Sequence, residues 1–387
     1  MHEGIGDTIF ESQVLLHCTE CRRHNVDFDI LTYELFSSVW TRSLLNKNNF
    51  DSLYDENPVI LKRGVNQYIP FASIMNSFLF LFFIITNRSS YDFIHARSDY
   101  SAFIAVITKP FHRLPIVWDC RGDSQDELHF AFEDKSKFLR WTLGFYCSFA
   151  NRLILKAVSY FANSAVFVSS ALRRYHVKKG FDQMRIVVPC VVSPDRFFFD
   201  QSLRAESRKA LNISEDFCVY LYSGSMVPYQ GISHVINFAK ALGALKHKSV
   251  LLVLTKQTEV ALAKFNGLLG LRVIVESVSH SDVNFYCNAA DYALLFRDAR
   301  NLNFVASPTK HGEYRMSGLP VITNGTVEQV NEFNASLDEL RVLEPRKLIQ
   351  SEKVRSTISS CSKQWFSREV YINEYIELYK SCCGGFD

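Results

Sequence analysis

Short apolar runs alternate with stretches of helical period along the whole chain, the pattern of a parallel sheet covered on both faces. In the first half this predicts strands at Phe28–Thr32, Phe93–Ala96, Pro115–Asp119, Ala165–Val168 and Arg185–Pro189. Helices are predicted between them, around 8–24, 71–86, 101–109 and 136–162. Turn residues gather at Ser193-Pro194-Asp195-Arg196, and a short helix over 203–211 follows. A second series then begins with Val219–Ser223, Val250–Leu254, Arg272–Val275, Tyr292–Phe296 and Val321–Thr323. The final stretch, SREVYINEYIELYKSC over 367–382, has the period of an amphipathic helix. The expected fold is α/β with two doubly wound, Rossmann-like domains. The first spans 1–194 and the second 215–364; 195–214 reads as a linker, and 365–387 as a helix packing back on the first domain.

The chain opens on GIGDT, a glycine turn into a helix, with no apolar strand before it. A doubly wound domain ordinarily places its central first strand there, so the first N-terminal strand looks to be missing. Either the true start lies upstream or the domain lacks its middle strand, and the first is the expectation. The run FASIMNSFLFLFFIIT, from Phe71 to Thr86, is sixteen residues long and holds Asn76, short of the ~18–20 apolar residues that a span needs. It reads as a buried helix packed on the sheet.

Composition narrows the class. At 387 residues the chain has room for two or three domains, and 48% hydrophobic with 21% charged residues is ordinary for a globular protein. Lys+Arg 43 against Asp+Glu 40 leaves +3 over the whole chain, which counts against a nucleic-acid partner. No basic and apolar leader opens the sequence, so the ten scattered cysteines read as free thiols in the cytoplasm. Cys18 and Cys21 form a single C-x-x-C without a partner pair, which reads as a helix face rather than a metal or redox site. Asp27-Phe28-Asp29 reads as a solvated strand start rather than a metal ligand pair, so no metal cofactor is expected.

The stretch richest in chemistry is SPTKHGEYRMSGLPVI, Ser307 to Ile322. Ser307 reads as an N-cap, Pro308 as the first helical residue, Gly318 as the left-handed stop and Pro320 as a block to continuation. A helix N-terminus exposes unpaired N–H groups and partial positive charge, a ready anion site. Lys310 and Glu313 are three apart on one face: the cation suits a diphosphate and the carboxylate suits ribose hydroxyls. A capped helix with an ordinary surface ion pair reads equally well from these residues alone. Upstream, YSGSMVPYQG, Tyr222 to Gly231, leads from a strand into a second helix N-terminus, and Arg297 follows the strand Tyr292–Phe296. Strand ends of this kind are where open α/β sheets bind ligands.

These segments resemble glycosyltransferase family 4, the group 1 glycosyltransferases of two-domain GT-B fold, and the likeness runs over nearly the whole chain. AVFVSSALRRYHVKKGFDQMRIVVPCVVSPDRF is similar to the family's last N-domain strand, helix and interdomain crossing, and DVNFYCNAADYALLFRD to the segment before its donor loop. Glu313, Gly318, Pro320 and Val321 keep the spacing of the second glutamate of E-x7-E and the turn after it. The resemblance implies two domains facing a cleft, a nucleotide-sugar donor held by the second, and an acceptor entering from the first. It also implies sugar transfer with retention of anomeric configuration and no required metal. On this basis His95, Arg297, Lys310 and Glu313 are the catalytic candidates. Gly4, Gly6, Gly224, Ser225, Asn303, Ser307, Pro308 and Thr309 are the donor-binding candidates. Arg97, Asp119 and Arg121, in HARS and DCRG, are candidates for acceptor contact, or for an internal salt-bridge network. His95 could equally be structural.

The departures are specific. The first glutamate of E-x7-E falls at 305, which is Val305, and the Arg and Lys of the family's G-R-L-V-P-E-K-G loop fall at Ser225 and Gln230. Arg297, Asn303 and Lys310 are the residues that could compensate. The expected function is a hexosyl-type transferase moving sugar to a glycan or lipid-linked acceptor, in surface polysaccharide, capsule or lipopolysaccharide assembly. The alternatives are a non-catalytic GT-B protein that binds a glycan or a partner, and a nucleotide-sugar epimerase. Peripheral contact with the inner membrane face would need a basic, aromatic surface. Helix 136–162 carries Lys137, Arg140, Arg152 and Lys156 among Phe138, Trp141, Phe145, Tyr146 and Phe149, but so apolar a segment reads rather as core.

Overall fold

The computed structural model describes residues 10–34, 59–64, 72–245, 247–336 and 352–384. The chain divides into two units, one running to Val188 and resuming at Tyr371, the other spanning Pro189–Val370. The terminal helix Ile372–Cys382 therefore belongs to the first unit. Residues 195–214, read as a linker, belong to the second.

The second unit is a five-stranded parallel sheet in the order β11-β10-β7-β8-β9, with β7 at Cys218–Ser223, β8 at Ser249–Leu254, β9 at Arg272–Glu276, β10 at Tyr292–Leu295 and β11 at Val321–Thr323. Both faces of the sheet are buried, which is why its strands read as unbroken apolar runs. Val250, Leu252 and Leu254 enter one core with Val219 and Leu221, while Leu251 and Val253 enter the other with Tyr222 and Leu294. The chain winds outward from β7 in both directions, so the strand order reverses between β7 and β10.

The first unit holds a four-stranded parallel sheet, β3 (Ile94–Arg97), β4 (Ile116–Cys120), β5 (Ser164–Phe167) and β6 (Met184–Val187), in chain order. Trp118 on β4 is fully buried against Phe167, His176 and Phe181, and its indole N–H donates to Asp99 Oδ1 at 2.9 Å. A separate parallel pair joins β1 (Ile30–Glu34) to β2 (Val59–Arg63), a strand that the sequence pattern did not disclose. Phe28, just before β1, packs edge-on to Phe93, just before β3, yet no described strand pairs with the second edge of either.

Two expectations are corrected. Helix Ala72–Thr86 is not buried: Ile74, Met75, Phe78, Leu79, Phe82 and Ile85 lie open to solvent. Nor are the aromatics of the 136–162 segment core, because Phe138, Trp141, Phe145 and Phe149 are all exposed. In both helices the buried face mixes polar with apolar residues, Asn76 and Ser77 with Phe80 and Ile84 in the first and Asn151 with Leu155 and Val158 in the second, while other large apolar residues stay outside. No described helix is long and apolar enough to cross a membrane.

Candidate functional site

The strand order of the second unit fixes where its ligand crevice must lie: at the carboxyl ends of β7 and β10, where the order reverses. Two loops meet there. The loop after β7, Gly224 to Gly231, ends in a 3-10 turn, Pro228–Gln230, and enters helix Ile232–Ala244 through Gly231 at φ 70°. A Cβ at Gly231 would stand 2.7 Å from Phe296 C and 2.8 Å from Arg297 N, so only glycine lets this loop lie against the one after β10.

Arg297 begins the loop after β10 and is only 8% exposed. Its Nη1 donates to the carbonyls of Phe296 at 2.9 Å and Gln230 at 3.4 Å. Among the described residues no carboxylate pairs with it, and burial lowers its pKa. Asn324 and Thr326, which the sequence reading missed, hold the Arg297 backbone: Asn324 Nδ2 donates to the Arg297 carbonyl at 2.7 Å and Thr326 Oγ1 to it at 3.0 Å. Asn303 Nδ2 donates to the carbonyls of Tyr229 and Asp298, which ties the two loops together.

The helix read from Ser307 begins one residue later than expected. Its first residue is Thr309, Pro308 is the N-cap, and no side chain caps it. Ser307 cannot cap because its hydroxyl accepts the Cys190 N–H at 2.8 Å. The helix Ile232–Ala244 also lacks a side-chain cap. Both helix entries therefore keep free amide donors and partial positive charge. Val305, in the place of the family's first glutamate, is buried. Ser225 and Gln230 sit half-buried in the β7 loop, and the Ser225 carbonyl accepts the Tyr222 hydroxyl at 2.7 Å.

Glu313 is 2% exposed and lies between Lys310 and His280, with Oε2 2.8 Å from Lys310 Nζ and Oε1 3.1 Å from His280 Nε2. Burial alone would raise its pKa, but Lys310 and the His280 hydrogen bond outweigh burial and bring it down to about 2. His280 is a residue that spacing could not reveal, since it arrives from 33 positions upstream.

This arrangement gives a pH dependence with a definite sign. A carboxylate held at about 2 when folded and 4.5 otherwise stabilises the fold above pH 4.5, and that stability is lost as pH falls toward 2. The full effect is about 3 kcal/mol, and roughly half is gone by pH 3. Urea unfolding at pH 7, 4 and 3 should show a shallower acid loss in Glu313→Gln than in wild type. Equal loss in both proteins would show that Glu313 is not what sets the acid limit.

In the first unit, the ends of β3 and β4 bring His95, Arg97, Asp119 and Arg121 together. Asp119 is buried, with Arg97 Nη1 at 3.1 Å, Arg121 Nη1 at 3.4 Å and His95 Nε2 at 3.6 Å. Burial would raise its pKa, but Arg121, His95 and Arg97 overcome this and hold it well below the usual carboxylate range. The other His95 nitrogen, Nδ1, meets the Tyr379 hydroxyl at 2.8 Å. Ser98, directly after β3, takes φ 84° and ψ 157°, a conformation costing about 1–3 kcal/mol in a residue other than glycine. Strain at a strand end beside a charged cluster marks this turn as a second place to look for ligand contact. Asp27 pairs with Arg22 at 2.8 Å and Asp29 accepts the Tyr91 hydroxyl at 2.7 Å, so the two carboxylates of the D-x-D go to different partners. All ten cysteines are free, and Cys21 Sγ lies 3.5 Å from His17 Nε2. Gly4 and Gly6 lie outside the described residues.

The sequence matches no protein-family profile and no curated protein. Solved structures do match in shape. Sucrose-phosphate synthase from Thermosynechococcus elongatus aligns over 84% of each chain with a TM-score of 0.62 at 13% identity. The lipopolysaccharide outer core galactosyltransferase WaaB, in its apo form, covers 98% of this chain and 97% of its own, with a TM-score of 0.61 at 11% identity. Anabaena HepE in complex with UDP-glucose covers 91% and 98%, with a TM-score of 0.58 at 14% identity. The fold is GT-B. In a GT-B chain the crevice at β7 and β10 lies in the second Rossmann-like unit, and there the buried Arg297 and both uncapped helix entries are found. At these identities the likeness establishes the architecture, and the chemistry has to be argued from the side chains.

Proposed function

We propose that this protein is a retaining hexosyl-type glycosyltransferase that takes a nucleotide sugar as donor and a glycan or lipid-linked glycan as acceptor, at the cytoplasmic membrane face. Arg297 is the observation that carries the reading: a nearly buried guanidinium, without a carboxylate partner among the described residues, at the carboxyl end of β10. Burying an unpaired cation is costly, and a bound diphosphate would neutralise it. Lys310 and the two uncapped helix entries supply further positive charge, so stabilisation of the leaving diphosphate falls to fixed donors and needs no metal ion. In the transfer, the anomeric C–O bond to the diphosphate breaks and the acceptor hydroxyl oxygen bonds to the same face of the sugar. The hydroxyl proton passes to the departing phosphate oxygen. HepE holds UDP-glucose and WaaB is a galactosyltransferase of lipopolysaccharide, which makes UDP-sugars the first donors to test.

The second reading is a GT-B protein that binds without transferring. It is favoured by Glu313, whose two oxygens are already taken by Lys310 and His280. A thermal-shift panel of nucleoside diphosphates and nucleotide sugars tests binding for both readings. A ligand at 100 times its Kd adds about 2.7 kcal/mol, a rise of roughly 5–10 °C for a unit of this size. Lys310→Ala should lose most of that rise, and release of free sugar or transfer to added acceptor would separate the two readings. No shift with any nucleotide in folded wild type would overturn the transferase reading and leave the second reading as a binder of glycan or a partner.

A further inference from the structure

Two helices of the first unit bury polar residues on their inner face while exposing large apolar ones. In the uncharged helix Ala72–Thr86 the buried face includes Asn76 and Ser77, with Asn76 Nδ2 donating to the Tyr100 hydroxyl at 2.9 Å. Its outer face carries Phe78, 68% exposed, and Phe82, 76% exposed. The segment ending in helix Phe145–Phe161 does the same, although Leu155 and Val158 are buried beside its polar residue. Asn151 points inward and donates to Ser124 Oγ at 3.1 Å, while Phe138, Trp141, Phe145, Phe149, Leu153 and Tyr160 form an exposed stripe at helical spacing. Both helices pack against the same helix, Asp99–His112, whose own Ile107 and Phe111 are exposed. The three outer faces thus adjoin on one side of the sheet. An apolar patch of that breadth on a water-facing surface calls for an occupant.

Charge decides which one. From Lys135 to Lys179 the chain carries nine Lys and Arg residues and no Asp or Glu, although the whole protein is nearly balanced. Arg152 and Lys156 lie on the aromatic stripe, exposed, and no described carboxylate pairs with either. They line a groove of about 940 Å³ that Tyr160, Phe161 and Lys179 also border. A second copy of this chain would press like-charged faces together across a two-fold axis. An anionic bilayer meets both demands: apolar side chains enter the acyl boundary, Trp141 and Tyr160 sit at headgroup depth, and the cations reach lipid phosphates.

We propose that the first unit docks on an anionic lipid surface through the outer faces of helices Ala72–Thr86 and Phe145–Phe161, with Arg152 and Lys156 taking lipid phosphate. This names the partner surface of the transferase reading, and it rests on that reading for its purpose but not for its test. Flotation with vesicles of phosphatidylcholine alone, or mixed with phosphatidylglycerol, measures docking on the full chain without donor or acceptor. Wild type should float with the anionic vesicles and be released by high salt. The quadruple variant Phe78→Ser, Phe82→Ser, Trp141→Ser, Phe145→Ser should lose at least tenfold in bound fraction. Arg152→Glu with Lys156→Glu should lose binding to the anionic vesicles. Unchanged circular dichroism shows that each variant is folded. Wild type that stays down with both vesicle types overturns the proposal, as does equal binding to both. A solution dimer that the quadruple variant dissociates would assign the face to a second copy instead. A transferase reading that failed in the nucleotide panel would leave the flotation result standing, and the converse holds too.

Discussion

Asp291→Ala is expected to lower the thermal midpoint of the second unit by on the order of 10 °C, the largest stability loss foreseen for a single substitution here. Asp291 is 1% exposed, and its Oδ1 meets Arg204 Nη2 at 2.7 Å while Oδ2 meets Arg208 Nη1 at 3.4 Å and accepts the Val219 N–H at 2.8 Å. Both arginines are also buried, and so is Arg355, whose pKa burial pushes down to about 9. These guanidiniums bond to backbone carbonyls: Arg204 to Ala290, Arg208 to Phe217, and Arg355 to Asn288 and Ser317. Glu215, which lies 3.4 Å from Arg208, is mostly exposed and screened by water. Removing Asp291 thus strips buried cations of the one buried counter-charge they have among the described residues. Breaking such a pair from one side costs about 3–5 kcal/mol, against a total stability of about 5–15 kcal/mol for a domain. A calorimetric scan in which Asp291→Ala melts within 2–3 °C of wild type, below the ~1 kcal/mol scale, would show the cluster to be energetically slack.

The same cluster shows what the sequence could and could not disclose. The nine strands of the two main sheets were legible to within a residue or two because parallel strands buried on both faces read as apolar runs. β2 was not, since Val59–Arg63 ends in Lys62-Arg63 and lacks that signature. Arg204 and Arg208 lie in the short helix read within the linker, and nothing local shows that an aspartate more than eighty residues away holds them inside. The site divides likewise. The positions of Arg297, Lys310 and Glu313, after a strand and in the first turns of a helix, were legible because strand ends and helix starts have sequence signatures. His280, Asn324 and Thr326 reach the crevice through long-range packing and have none. Ser307 looked like a cap by composition, but its hydroxyl was claimed by Cys190, a competition that no window of sequence contains.

The two helices with exposed apolar residues follow the same logic in reverse. Apolar content predicts burial only while the polar residues of a helix face water. In Ala72–Thr86 the polar positions Asn76 and Ser77 point at the protein beside Phe80 and Ile84, which leaves Ile74, Met75, Phe78, Leu79, Phe82 and Ile85 outside.

Arg297→Met should separate binding from folding more sharply than any other substitution in the crevice. The guanidinium is buried with no carboxylate partner among the described residues, and its hydrogen bonds go to two neutral carbonyls. A side chain of similar length without charge removes the desolvation penalty, so the unliganded protein should melt at the wild-type temperature or slightly above it. The nucleotide-induced rise should nevertheless vanish. Loss of a charge-assisted contact to a desolvated diphosphate is worth about 1.5–3 kcal/mol, roughly 10- to 150-fold in Kd. Titration of wild type and variant with the nucleotide that shifts wild type most, alongside melting of both without ligand, reads the two effects separately. The contrary pattern, a variant several degrees less stable that still binds with wild-type affinity, would make Arg297 a brace between the loops after β7 and β10. The anion site would then rest on Lys310 and the two helix entries alone. The expected pattern fits a residue kept at a cost to the empty protein, as a buried charge awaiting its counter-ion must be.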